Sequence, residues 1–484
     1  MMDKPRRLHP AAVLTLLFKN VYGLIQAFLP IAIVLLARGD LTAWISYLIP
    51  VAIVAYCAYT VLAWWRLVYY VRGHELYMES GVITTKKRTI PFERIQGVQI
   101  NEGLIQRLFG LVSLEVQTAG NDKKAEFSLS ALTRRDAEEL KALIGSGHIE
   151  ESVVEHENLI VERLSVKALL QAATTSNGIG VIFFAIIALM SQLDDFIPGM
   201  NIFLIIVEYL IHQASSGWLS IIILLAAILA LSWLLSVAGS IIRLGGFTIT
   251  RLEDRIIIDR GILDRRQVTL PIKKIQAITV TESLLRQPFG LASVEVISAG
   301  YGSKANEAKI IFPLLPRSQV KQFLDRVLPE FSADLSVSPL PSRALPGYLV
   351  PGIAITAIIC GIIYLVPWAY LLALIAIPIL ILTIFQYLDA GYRLDDRALI
   401  IRSRLLGRKT HIIPVNRIQW IGLSANPFQA RARLARIRIA LMSQIGGTVI
   451  DLKGLDIRNA TAIWLTLYKK DRPVGRQYSS TEKP

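Results

Sequence analysis

Long apolar runs alternate with short mixed segments along the whole chain. Six runs come close to or exceed the roughly 20 residues needed to cross a bilayer. They fall in pairs: Val21–Ala37 with Ala43–Trp65, Ala168–Met190 with Trp218–Ile242, and Leu345–Val366 with Trp368–Leu388. Trp44, Trp64, Trp65, Trp218 and Trp368 lie at the ends of these runs, where an indole suits the headgroup region. The short connections inside each pair hold only Arg38, whereas the segments after each pair are rich in lysine and arginine. That asymmetry predicts both termini on the cytoplasmic side. One further stretch, Phe196–Gln213, has a short apolar core behind Pro198-Gly199. It reads as an interfacial or re-entrant amphipathic segment on the outer side rather than as a span.

After each pair the pattern changes to short alternating segments bounded by Gly, Pro, Asn and Asp, the signature of strands. In the second set these are Phe247–Thr250, Arg255–Asp259, Arg266–Leu270, Ala277–Thr281, Ala292–Ser298 and Lys309–Phe312. Ser318–Leu328 follows with Val320, Phe323, Leu324, Val327 and Leu328 on one helical face, and Arg134–Ile144 has the same form. Each set is therefore expected to be a small antiparallel β unit closed by a helix.

The sets are repeats. Ile90-Pro91-Phe92-Glu93-Arg94-Ile95-Gln96 returns as Leu270-Pro271-Ile272-Lys273-Lys274-Ile275-Gln276 and as Ile413-Pro414-Val415-Asn416-Arg417-Ile418-Gln419. Phe109-Gly110-Leu111 returns as Phe289-Gly290-Leu291, and the Gln and Gly pairs are both offset by 180 residues. In the third copy the arginine-rich stretch Asn426–Leu434 replaces the Phe-Gly-Leu turn. The prolines suit a strand start or bulge because they cannot donate to a ladder, and the glycines suit a tight turn.

Composition agrees with a membrane protein that also carries polar domains. Hydrophobic residues make up 53%, mean hydropathy is +0.49, and charged residues still reach 18% with a net charge of +15. The two cysteines, Cys57 and Cys360, lie in apolar runs and suggest neither a disulfide nor zinc. The resulting plan is a cytoplasmic tail (1–20), membrane pair 1 (21–66), β domain 1 (67–148), linker (149–167), pair 2 (168–242), domain 2 (243–330), linker (331–344), pair 3 (345–389), domain 3 (390–471) and a disordered tail (472–484).

Strand order, the Ile-Pro-x-x-x-Ile-Gln segment and the closing helix resemble the bacterial pleckstrin-homology (PH)-like domain. Three such domains, each behind two spans, are similar to the YdbT-like family of membrane proteins. The resemblance implies six transmembrane helices and three cytoplasmic PH-like β-sandwiches or partly open barrels, each with a C-terminal helix. It further implies a bacterial plasma-membrane location, a role in the envelope or in tolerance of membrane-active agents, and a smaller single-domain relative as partner.

Comparing the copies gives two basic columns: Lys86, Arg266, Lys409 and Arg94, Lys274, Arg417. Juxtamembrane cations are each attracted to anionic lipid by about 1 kcal/mol, so these six residues are candidate contacts for anionic headgroups or for a partner. Enzyme signals are absent. The six histidines do not recur in a column, and there is no phosphate-cradling glycine loop and no metal-type spacing. No cofactor is expected, and the basicity tracks cytoplasmic faces rather than a nucleic-acid site. A transport or lipid-moving device would need polar residues in the spans. It could draw only on Thr174, Thr175, Ser176 and Asn177, with Ser232, Ser236 and Ser240, which suit helix packing.

Overall fold

The computed structural model describes residues 5–13, 43–82, 84–118, 127–146, 160–175, 180–185, 218–298, 310–366, 372–442 and 448–470, together with positions 17 and 178. The expected first span, the end of the third (186–190), the segment 196–213, Asn177 and the C-terminal tail lie outside these residues. By length and composition two helical stretches are able to cross a bilayer, Ala226–Leu244 and Ser342–Leu365, and Ala376–Asp389 is a shorter apolar helix. Ala43–Arg66 is a further helix of 24 residues that ends on Trp64, Trp65 and Arg66.

Each repeat begins before its helices. Strand β1 (Arg6–Arg7) pairs antiparallel with β2 (Val68–Arg72), joining residues on either side of the first expected membrane pair. In the same way β8 (Ile160–Arg163) pairs with β9 (Thr248–Arg251), and β15 (Ser338–Pro339) with β16 (Gly391–Leu394). The tail and both linkers thus supply a strand each. The tail also packs: Leu8 and Ala12 are buried, the Trp64 indole N–H donates to the Leu8 carbonyl (3.1 Å), and Arg6 meets Asp136 at 2.8 Å.

The recurring motif is a corner. β4 (Lys86–Pro91) ends on the proline, a single 3-10 turn (Phe92–Arg94) redirects the chain, and β5 (Ile95–Glu102) leaves in a new sheet. β11 (Arg265–Pro271) and β12 (Ile275–Glu282) repeat this, as do β18 (Arg408–Pro414) and β19 (Ile418–Ser424). The prolines therefore close a strand instead of opening one. Each glutamine is the residue the ladder skips: register shifts fall between Ile95 and Gly97, Ile275 and Ala277, and Ile418 and Trp420. A bulge adds a residue and bends the strand, which is what a corner requires.

The sheets do not respect the repeats, and this corrects the expectation of self-contained β units. β5, β6 (Leu111–Thr118) and β7 (Phe127–Thr133) of the first repeat join β8, β9, β10 (Arg255–Arg260) and β11 of the second in one seven-stranded sheet, ordered β7-β6-β5-β11-β10-β9-β8. β12, β13 (Leu291–Ser298) and β14 (Ile310–Pro316) join β15, β16, β17 (Ala398–Arg404) and β18 in a second, ordered β14-β13-β12-β18-β17-β16-β15. What is left at the ends is a four-stranded sheet, β1-β2-β3-β4 with β3 at Glu75–Ser80, and a three-stranded one, β19-β20-β21 with β20 at Leu434–Leu441 and β21 at Thr448–Asp456. Alternation along a strand reports which face is buried and carries no information about which edge is paired. The chain accordingly forms two compact units, Met1–Pro271 and Ile272–Pro484, divided inside the second copy of the motif.

The first unit's core gathers Tyr69, Leu76, Leu114, Leu129 and Leu140, the last from the closing helix Arg134–Ser146. The second unit holds an equivalent core of Ile437, Ile439, Leu452 and Ile463. Its helix Val320–Val327 buries Val320, Phe323, Leu324 and Val327, the face expected from their spacing.

The turn before β6 and β13 needs a left-handed residue, and Gly110 (φ 64°) and Gly290 (φ 61°) provide it. In the third copy Arg433 occupies the same position with φ 53°, so the turn survives without its glycine. A non-glycine residue is strained there by about 1–2 kcal/mol. Arg433→Gly is expected to stabilise the second unit by about 0.5–1 kcal/mol once the extra flexibility of glycine is deducted, measured as slower amide exchange in β20.

Candidate membrane-facing site

Two hairpin tips meet the ends of apolar helices. In the first unit the β10–β11 tip is hydrogen-bonded to the end of helix Trp218–Leu244: the Gly261 N–H donates to the Gly245 carbonyl (2.8 Å) and that of Ile262 to the Ile242 carbonyl (2.9 Å). Gly261 has φ +99°, and a Cβ there would lie 2.1 Å from the Asp264 carbonyl oxygen. Glycine is what lets so tight a tip form. Ile262 and Leu263 are exposed at its apex. The Arg107 guanidinium donates to the Ile262 carbonyl (2.8 Å), which brings the exposed turn residues Leu108 and Phe109 to the same place.

The second unit repeats this arrangement. The β17–β18 tip carries Leu405, 78% exposed, and Leu406, 58% exposed. Gln386, near the end of helix Ala373–Asp389, donates to the Leu405 carbonyl (3.0 Å). Arg404 is paired with Asp389 at the end of that helix and also reaches Gln287, in the turn bearing exposed Phe289. Each tip therefore presents apolar side chains beside arginines and next to a helix terminus.

Two members of the first basic column, Arg266 and Lys409, stand at these tips, and Lys86 holds the matching place in the first repeat. Lys86 and Lys409 are exposed at the starts of β4 and β18, and Arg266 follows the β10–β11 tip, half-exposed and held by Asp264 at 2.7 Å. The second column sits elsewhere. Arg94, Lys274 and Arg417 end the 3-10 turns at the far end of the same strands, roughly 20 Å away at about 3.3 Å per residue. Arg417 donates to the Lys273 carbonyl (2.7 Å), a link between two corners. The six candidates thus form two sets, and Arg266 and Lys409 of the first set accompany the helix ends. The apolar tips were missed in reading the sequence, although a Leu-Leu or Ile-Leu pair where turn chemistry favours polar residues was visible at Leu405-Leu406 and Ile262-Leu263.

Behind each tip lies a charged junction between repeats. In the second unit Glu282, 2% exposed, receives the Arg408 guanidinium (Nε 2.9 Å) from the paired strand and faces Arg317 at 3.8 Å, while Arg408 also reaches Asp389 at 3.3 Å. Burial alone would lower the Arg408 pKa, but its hydrogen bonds to Glu282 and Asp389 outweigh that, and the net shift is upward. The first unit has the same residues in the same places. Glu102 is registered opposite Arg265 and lies 3.5 Å from Arg134, lining a cleft of about 220 Å³ with Asp259 and Gln267. Lys141, which donates to Gln267 (2.9 Å), has its pKa lowered by burial. Next along the second junction, the His411 Nδ1 lies 2.9 Å from the Thr279 hydroxyl. Enclosure of the imidazole, with Lys409 nearby, lowers its pKa to about 4.

Among the described residues no cluster of His, Cys, Asp and Glu is arranged to hold a metal. Of the small polar residues in the helices, Ser232 and Ser236 are buried, Ser232 donates to the Ile228 carbonyl (2.8 Å), and the Trp233 indole reaches the Thr174 carbonyl (3.4 Å). The first bond lies within one helix and the second links two helices.

Three corner-bearing β repeats, each opening with a strand ahead of apolar helices, define a membrane protein built of PH-type domains. The family model described as the bacterial PH domain matches residues 20–148, 201–331 and 342–471, and the chain belongs to that family. It is 33% identical, over 97% of its own length and 100% of the relative's, to the transmembrane protein YdbT of Bacillus subtilis (strain 168). No solved structure matches the chain.

Proposed function

We propose that this is a non-catalytic multi-pass protein of the bacterial plasma membrane that holds three PH-type domains against the cytoplasmic leaflet, as a platform for anionic lipid and for protein partners. The observation that carries the reading is the docking of apolar, arginine-flanked hairpin tips onto helix ends. A tip so placed buries its leucines at the acyl boundary while Lys86, Arg266 and Lys409 meet anionic headgroups, each worth about 1 kcal/mol. Arg94, Lys274 and Arg417 are assigned to the corners between sheets.

The sidedness rests on strand pairing. β1 pairs with β2, β8 with β9 and β15 with β16, so the chain between each pair of strands leaves and returns on one side. The number of crossings in each interval is then even. Six spans in three pairs meet this condition, and with it both termini share the domains' side. A single crossing added by 196–213 breaks it. The proposed role is envelope maintenance or tolerance of membrane-active agents, with a smaller single-domain relative among the partners.

The test is depth-dependent quenching. In full-length protein with Cys57 and Cys360 replaced by alanine, a bimane label at Leu406→Cys or Leu263→Cys is expected to be quenched by brominated lipid. Quenching should deepen as the anionic lipid fraction rises and weaken in Lys409→Ala or Arg266→Ala respectively. A label at Glu253→Cys, at the opposite end of the β10 hairpin, should remain unquenched. Equal quenching at all three positions, or none, overturns the reading.

A further inference from the structure

The two ends of the β assembly are complementary halves. Each internal sheet contains seven strands, four from one repeat (the type of β1 to β4) and three from the repeat before it (the type of β5 to β7). The chain ends with the same two halves unjoined: β1-β2-β3-β4 at its head and β19-β20-β21 at its tail. Among the described residues neither β4 nor β19 has a strand on its outer side. Burial agrees. β12, covered by β18, is buried at nearly every position, whereas β19 has no buried residue, and β4 is exposed over Lys86–Thr89.

We propose that the β19 edge of one copy takes the β4 edge of a second copy, forming a third seven-stranded sheet between chains. This names the protein partner of the platform, and it rests on the reading that all three domains share one side of the membrane.

The register follows from the two internal junctions, which agree with each other. Thr269 lies opposite Val98, as Ile412 lies opposite Ile278; Val268 lies opposite Gln99, as His411 lies opposite Thr279. Transferred by the motif, Thr89 falls opposite Ile421 and Arg88 opposite Gly422. The chemistry of the ends matches in three ways. The junction glutamate and both arginines are replaced together: Glu102 and Glu282 correspond to Ala425, Arg265 and Arg408 to Thr85, and Arg134 and Arg317 to Ile457. A head that kept its arginine would bury it against a tail with no acid. Next, the Trp420 indole lies across Gly422, where an added Cβ would be 2.2 Å from the ring. This puts an aromatic face at the ladder position of Arg88, a pairing of cation and ring. Finally, Lys86, Lys87 and Arg88 discourage β4 from pairing at random, while β19 carries no charge of its own. Such a contact is heterologous, so copies join head to tail and either close into a ring or extend.

The experiment uses full-length protein with Cys57 and Cys360 replaced by alanine, as two differently tagged copies co-expressed in one membrane, one carrying Thr89→Cys and the other Ile421→Cys. Oxidation of isolated membranes is expected to give a disulfide-linked dimer carrying both tags. Moving the first cysteine to Lys86 should reduce its yield at least tenfold, as should adding Trp420→Arg. Four results overturn the proposal: an internal disulfide without dimer when both cysteines are in one chain; equally efficient Ile421→Cys dimers; capture of a different protein at Ile421; or no product while both variants keep the wild-type proteolysis pattern. The lipid-quenching experiment does not depend on this contact, so the two readings fail separately.

Discussion

Glu282→Ala is expected to weaken the second junction by about 3 kcal/mol, because removing one member of a buried ion pair leaves the other charge uncompensated. Glu282 is 2% exposed and meets arginines from two elements, Arg408 of β18 and Arg317 ahead of the closing helix. Asp389 retains one contact to Arg408, so the loss should fall at the lower end of the usual range for such a deletion. The readout is amide exchange in the full-length protein. β12 and β18 should exchange about a hundredfold faster, at about 1.4 kcal/mol per factor of ten, while β5 and β11 remain unchanged. Uniform acceleration across both sheets would mean that the residue acts on the whole fold rather than on the junction.

Acidification should act on the same sheet through His411. Its pKa is about 4 in the folded protein against the ordinary 6.5, so between these values the unfolded chain binds more protons. The stability this group contributes is complete above about pH 6.5 and is lost as pH falls toward 4. The residue is partly exposed, and with allowance for screening the loss is on the order of 2 kcal/mol. In His411→Gln the β12–β18 exchange rates, corrected for intrinsic chemistry, should no longer rise between pH 6.5 and 4.5. A wild-type profile that is flat over that range would remove histidine as the cause.

The sequence discloses these features unevenly, for physical reasons. Strands and closing helices are legible because apolar spacing reports burial directly: Val320, Phe323, Leu324 and Val327 all lie on the buried face of their helix. The repeated Ile-Pro-x-x-x-Ile-Gln could be recognised as a unit, but its work as a corner depends on a bulge at the glutamine, which exists only once a neighbouring strand defines the ladder. The charged junction was hidden for a similar reason. Glu282 and Arg408 are 126 residues apart and belong to different repeats, and aligning the copies compares equivalent residues rather than those that touch. Arg433 was visible as a departure from the glycine column, yet only its positive φ shows that the turn was kept and the glycine lost. Of the candidate cations, Arg266 and Lys409 of the first column lie by helix ends and the second column lies at the corners, a division that depends on strand length and not on charge.

The helices of each repeat are inserted between its first and second strands, and this has a consequence for synthesis. β1, β8 and β15 leave the ribosome before the apolar segments that follow them, while their partners β2, β9 and β16 come after. On the proposed topology, a first strand waits until the translocation machinery has threaded the intervening apolar segments and returned the chain to the original compartment. If one segment fails to insert, the two halves of a β domain are stranded on opposite sides of the bilayer and cannot combine. On that topology, folding of the polar domain would serve as a proofreading step for membrane insertion, and a mis-threaded chain would remain open to the proteases that clear unfinished proteins.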